Sequence, residues 1–288
     1  MSNAIVMVVG SLHYDIIVEA DHLPRMDETA IGTRWYPKFG GKGGNQAVSA
    51  IKQGAAARMV GAVGDDSFGH FLREKLRAAG VDDRFVRLAP GVGSGMSVAL
   101  LDANGDYAAT IVSGANLTIG AADLADPAVW QDVGLLVLQN EVPEAANIAA
   151  ASKARRRGIR TVLNAAPYRV MSPELTTLVD ILVVNAVEAE MMGTDKICSL
   201  SVAATAATKL AERFDAAIVT AGALGLAALD QRGQLLVLPS KTVEAVSSHG
   251  AGDAFIGALA AAMVSGADLE FACRAASAAA ARHVAGLT

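Results

Sequence analysis

Short runs rich in valine, isoleucine and leucine alternate along this chain with longer alanine-rich segments of helical period. That alternation limits the fold more than any other feature. Ile5–Val9, Arg58–Val63, Val133–Gln139, Thr161–Asn164, Ile181–Asn185 and Ala217–Thr220 are apolar almost throughout. Strands without polar alternation are those covered on both faces, as in a parallel sheet. Helical patterns fall between them near Asn45–Gln53, Phe68–Ala79, Glu144–Arg157, Val202–Arg213, Gly252–Val264 and Leu269–Val284. Strand and helix in repetition at this spacing predict an α/β fold with a doubly wound, mostly parallel sheet flanked by helices. No linker or charge block divides residues 1–288, so one domain is expected.

Two segments break the rhythm. Residues 11–39 hold two extended stretches, Asp15–Glu19 and Ala30–Tyr36, and no helix. Residues 96–112 hold two more around Asn104-Gly105, a strong hairpin signal. Both are read as strands of one small projecting sheet, a candidate lid, against the alternative that they extend the main sheet. Trp35 and Tyr36 alternate on one of its strands. They either close over a ligand or pack against the lid of a second copy, and an exposed edge strand there makes a homodimer an expectation.

Composition narrows the function. Hydrophobic residues make up 52 %, yet no apolar run approaches the roughly 20 residues that cross a bilayer. The apolar stretch between Asp253 and Asp268 is rich in alanine and glycine and reads as a buried helix. Lysine and arginine total 24 against 29 acidic residues, a net charge of −5, which gives no general attraction to nucleic acid or anionic membranes. No basic segment precedes the first apolar run, so it reads as a strand and not a signal peptide. Cys198 and Cys273 lie far apart without a CxxC pattern, and a cytoplasmic setting is expected.

Two glycine clusters carry the chemistry. Phe39 to Ala50 reads FGGKGGNQAVSA, which puts flexible backbone, Gly41, Lys42 and Asn45 at a helix N-terminus. Free N–H groups and the helix dipole favour oxygen-rich or anionic ligands there, although a tight packing turn would use the same glycines. A Walker A loop cannot be aligned, because Gly43 follows Lys42. Ser247 to Leu259 reads SSHGAGDAFIGAL. Gly250, Ala251 and Gly252 would form a turn with N–H groups aimed at one spot, and Asp253 falls in the first helical turn. That carboxylate either compensates the dipole or acts as a general base beside an anion hole. A dinucleotide fingerprint fails, since Phe255 stands at the third glycine position.

In this order and spacing the two clusters resemble the PfkB carbohydrate kinases. Other pieces fall in family order: Gly10-Ser11 with Asp15, Pro24 with Glu28-Thr29, Val63-Gly64-Asp65-Asp66 with Phe68-Gly69, Glu141, Asn185 with Glu188, and Thr220 with Gly222 and Gly225. The resemblance spans about residues 5–285. It implies a ribokinase-like fold and transfer of the γ-phosphoryl of ATP to a primary hydroxyl of a pentose or related sugar. Asp253 would be the base and Gly250–Gly252 the anion hole. Asp15, His13, Gly41, Lys42, Asn45 and Glu141 would hold the sugar. Asn185, Thr220, Gly222, Gly225 and Gly252 would hold the nucleotide, with Glu188 orienting Mg²⁺ through water. A nucleoside or keto-sugar-acid acceptor, or a catalytically silent ligand-binding relative, are the alternatives.

Departures from the family pattern are specific. Ser247 stands where an acidic residue helps bind an activating monovalent cation, so K⁺ activation is not carried over. His13 replaces an asparagine that contacts the sugar. Ala223 and Leu224 stand where polar residues are common. The chain ends at Thr288, short of the usual final strand and helix, which implies a more open adenine pocket. His249 borders the anion hole and could touch phosphate. His22, His70 and His283 read as surface or packing residues, and Arg155-Arg156-Arg157 as a solvated face.

Overall fold

The computed structural model describes residues 4–103 and 107–287. Its larger sheet has nine strands in the order β13-β12-β11-β10-β9-β8-β1-β4-β5. In chain order these are β1 Ile5–Val9, β4 Ala56–Gly64, β5 Asp82–Ala89, β8 Val133–Gln139, β9 Arg160–Asn164, β10 Ile181–Asn185, β11 Ala216–Thr220, β12 Gly225–Asp230 and β13 Leu235–Pro239. From β5 across to β11 the pairings are parallel, and β12 and β13 add antiparallel.

Helices cover both faces. On one face lie α1 Lys42–Lys52, α2 Ser67–Ala78, α7 Ala251–Val264 and α8 Leu269–Val284. On the other lie α3 Glu144–Arg155, α4 Pro173–Leu178, α5 Ala186–Met191 and α6 Leu200–Ala211. Burial on both sides explains the unbroken apolar runs: Met7 and Val9 join one core while Val6 and Val8 join the other.

The remaining strands, β2 His13–Ala20, β3 Gly32–Gly40, β6 Met96–Leu101 and β7 Tyr107–Val112, form a separate four-stranded sheet in the order β3-β2-β6-β7. The two segments that broke the sequence rhythm therefore pair with each other and do not extend the main sheet. The Asn104-Gly105 turn lies outside the described residues. β6 and β7 run antiparallel on either side of it.

Three differences from the sequence reading have physical causes. Helix α1 begins at Lys42, inside the glycine cluster, because Gly43 and Gly44 pack against the turn after β1; Gly44 N–H donates to the Ser11 carbonyl at 3.0 Å. Strands β5, β12 and β13 add to those expected: β5 and β13 lie at the sheet edges, where charges or alternation replace the apolar run, and β12, one strand in, is paired antiparallel on both sides. Helices α4 and α5 are only six residues long, too short to show a period.

Candidate active site

In an open α/β sheet, ligands bind beyond the carboxyl ends of strands where the order reverses. Here β1 leads outward through β4 and β5, and β8 leads the other way through β9, β10 and β11, so the crevice lies past β1 and β8. The segments that leave those two strands meet at Glu141. Its Oε2 accepts from the Ser11 hydroxyl and, at 2.9 Å, from the Lys42 backbone N–H. His13 Nδ1 is 3.9 Å from the same oxygen. His13 is buried, and its Nε2 has no partner among the described residues.

Gly41 sits at φ 87°, where L side chains are strained, and a Cβ would press on Leu12 Cα and His13 N at 2.7 and 2.8 Å. That close approach brings the N-terminus of α1 against the entry to β2. On β2, Asp15 accepts from the Ser97 hydroxyl of β6 and lies in register with Lys38 of β3.

Asp253 is buried at the first turn of α7. Asn45 Nδ2 donates to its Oδ2 at 3.2 Å, and Gln46 Nε2 donates to its Oδ1 at 2.9 Å. Gln46 also donates to Asn164 Oδ1 at 3.1 Å and accepts from Gln139 Nε2 at 2.8 Å. A buried amide chain thus locks the carboxylate in place. Burial pushes the Asp253 pKa above the ordinary aspartate value; Lys42, Gln46 and Asn45 oppose the shift, and Glu141 adds to it. Burial raises Asp15 and Glu188 as well. His13, His249 and Lys38, with the Ser97 hydrogen bond, restrain Asp15, and Lys42 restrains Glu188.

The turn before α7 corrects one expectation. Gly250 is left-handed at φ 85°, but Ala251 N–H is engaged by the Ser248 carbonyl at 3.2 Å, so it is not one of the free donors. The N–H groups without a partner among the described residues are those of Gly250, Gly252 and Asp253. A helix leaves its first N–H groups unpaired, and these three sit at the positive end of α7.

Two cavities meet at Gly250 and Asp253. One, of about 120 Å³, runs past Lys38, Asn45, Ser49 and His249. The other, of about 110 Å³, is bordered by Lys42, Asn164, Asn185, Glu188, Thr220 and Gly252. The carboxylate therefore stands on the wall between them. Gly222 lies in a 3-10 turn after β11, and Gly225 opens β12. Neither borders these cavities, nor do Asp15, His13, Gly41 and Glu141, which gather at the base of the small sheet.

Asn185 and Glu188 form a capping box on α5. Asn185 Oδ1 accepts Glu188 N–H at 2.8 Å, and Glu188 Oε2 accepts Asn185 N–H at 2.9 Å. This leaves Glu188 Oε1 without a hydrogen bond among the described residues. No group of three or more metal-ligating side chains gathers among them. A lone buried carboxylate fits Mg²⁺ only in its water-rich mode, carried by phosphates. Sequence reasoning missed Gln46, Ser97, Gln139 and Asn164. Gln46 stands beside Asn45 at the helix N-terminus, which is the one signal that could have found it.

Fold and sequence together define an ATP-dependent carbohydrate kinase. The family model described as pfkB family carbohydrate kinase matches residues 3–285, and the chain belongs to that family. It is 35 % identical over 261 residues to a ribokinase of Mus musculus, covering 89 % of this chain and 81 % of that protein. Over 272 residues it is 32 % identical to a deoxyribokinase of Salmonella typhi, covering 93 % and 89 %. Its fold superposes on Arabidopsis thaliana ribokinase complexed with ribose and ATP with a TM-score of 0.89, at 29 % identity, covering 98 % of this chain and 92 % of that one.

Proposed function

We propose that the protein transfers the γ-phosphoryl of ATP to a primary hydroxyl of a pentose or related sugar, with Asp253 as general base. The observation that carries this reading is the position of that buried carboxylate between two cavities, beside unpaired N–H groups at a helix N-terminus. A phosphoryl transfer needs little covalent chemistry from the protein. It needs alignment, charge stabilisation and a destination for one proton.

The sugar lies under the small sheet, held by Asp15, His13, Gly41, Lys42, Asn45 and Glu141. Its hydroxyl oxygen forms the new bond to the γ-phosphorus as the bond to the β,γ-bridging oxygen breaks. ADP leaves with that electron pair, and the hydroxyl proton passes to Asp253. Charge that grows on the migrating group is met by the N–H groups of Gly250 and Gly252 and by the amine of Lys42. Asn185, Thr220, Gly222 and Gly225 hold the nucleotide. Glu188 holds Mg²⁺ through water, and the ion neutralises phosphate charge when bound. The small sheet serves as the lid of a single 1–288 domain and as the contact of a homodimer. Two free thiols accord with a cytoplasmic setting.

A sugar acid is the second reading of the acceptor. It is favoured by Lys38, Lys52 and His249 on the cavity beside Asp253, which suit an anionic end. An ATP-consumption assay over neutral pentoses, their 2-deoxy forms, nucleosides and sugar acids separates these readings. ADP formed with a pentose supports the first. Preference for an acid supports the second. ATP binding with no acceptor phosphorylated leaves a ligand-binding relative.

A further inference from the structure

The turn that precedes α7 hangs from the end of another helix. The last carbonyls of a helix lack intrahelical partners. At the end of α8 the Val284 carbonyl is taken by two N–H groups of the incoming loop, Val246 at 2.8 Å and Ser247 at 3.3 Å. The return contact is a side chain: His283 Nε2 lies 2.9 Å from the His249 carbonyl. A carbonyl only accepts, so Nε2 carries the proton and the imidazole donates. The ring also stands against Gly250, where a Cβ would come within 3.0 Å of Nε2. His283 thus fixes the peptide that leads directly into Gly250, Ala251 and Gly252.

A monovalent cation does not fit this turn. A cation there would need carboxylate and unopposed carbonyl oxygens, yet residues 247–252 carry no carboxylate, the His249 carbonyl faces the His283 N–H and the Val284 carbonyl accepts two donors. The Ser247 side chain brings no carboxylate, and its hydroxyl accepts from His249 N–H at 3.3 Å. Burial, with Lys38 and Lys42 nearby, lowers the His249 pKa, and Asp15 opposes.

We propose that His283 is the positioning residue of the anion-binding turn before α7, and that its Nε2–H replaces a bound monovalent cation, so that the enzyme works without one. The inference rests on the reading of Gly250–Gly252 as the anion hole for the migrating phosphoryl. His283 stands on the wall of the cavity that Gly250 and Asp253 also line. It acts through the His249 peptide.

The test compares wild type, His283→Leu and His283→Gln in KCl, NaCl and choline chloride at equal ionic strength. Amide hydrogen exchange is read at residues 246–253 alongside kcat and KM. Wild-type kcat and exchange are expected to be the same in all three salts. In His283→Leu, exchange at Gly250–Asp253 rises and kcat falls, each by about tenfold, the worth of one net hydrogen bond, with acceptor KM little changed. His283→Gln, which retains an N–H donor, recovers most of both. Strong K⁺ stimulation of the wild type, or a leucine variant with wild-type exchange and kcat, overturns the proposal. If the leucine variant does not fold, wild-type cation dependence and the glutamine variant decide alone. A wild type that phosphorylates nothing removes the kinase reading but leaves the exchange result standing, so the two failures are distinguishable.

Discussion

Asn45 and Asp253, 208 positions apart in the chain, are joined by a hydrogen bond of 3.2 Å that ties the first turn of α1 to the first turn of α7. Two glycine-rich helix starts therefore share one carboxylate. Asp253→Asn keeps the volume and removes the proton acceptor. It is expected to lower kcat by about 10²–10⁴-fold, the usual contribution of a positioned base, while ADP binding by calorimetry is retained. Wild-type turnover in that variant would remove Asp253 from the mechanism.

The pH profile carries a direction. Burial raises the Asp253 pKa, so the base is lost as pH falls through a value above the ordinary 3.8. The acid limb of kcat/KM is expected above that value. Gln46→Leu takes away one of the donors that favour the charged form, and it should move the limb to higher pH. An unmoved limb would mean that another group controls it.

Asp15 offers a test that splits the two substrates. Its carboxylate is held by Ser97 and faces the lid side of the crevice. Asp15→Asn loses a charged acceptor for a sugar hydroxyl, worth about 1.5–3 kcal/mol, or roughly 10- to 100-fold. Acceptor KM should rise by that factor while ATP KM stays put. Equal changes in both would place Asp15 in the scaffold.

Asp66 is a stability residue. It caps α2 by accepting Gly69 N–H at 2.7 Å, and it also accepts Ser94 N–H at 2.8 Å and the Ser94 hydroxyl at 2.7 Å. Asp66→Ala should cost about 2–4 kcal/mol, a lost cap together with the loop it holds, as read by urea unfolding. Burial acts to raise its pKa, but the hydrogen bonds from Ser94 and Gly69 outweigh that and lower it. The stability it supplies is therefore complete above the unfolded aspartate pKa and fades as pH falls through the lower folded value. A variant that loses the same stability at pH 3 as at pH 7 would contradict this.

The central strands and long helices were legible because burial on both faces writes itself as uninterrupted Val, Ile and Leu. Both members of the Asn45–Asp253 pair were legible too, since each sits in a glycine-marked helix start. Gln46, Gln139 and Asn164 were not. Buried amides follow no period, and what makes them matter is a three-dimensional chain of donors and acceptors. The same limit applies to Ala251, whose N–H is drawn back to Ser248 by a turn geometry that residue type does not reveal. His283 looked ordinary for the same reason: its partner is a main-chain oxygen 34 positions away.

The peptide at Gly40–Gly41 is where β3 ends and α1 begins, while β2 starts just after the serine that binds Glu141. Two roots of the small sheet thus lie at the crevice past β1 and β8, so that Asp15 on β2 and the lysine-bearing start of α1 share its base. If Asp15 grips the acceptor, an alcohol that fails to reach it would leave the sheet open, and stray water would gain no better aim at the nucleotide. On the proposed function, the joint that admits sugar would also be the safeguard against futile ATP hydrolysis.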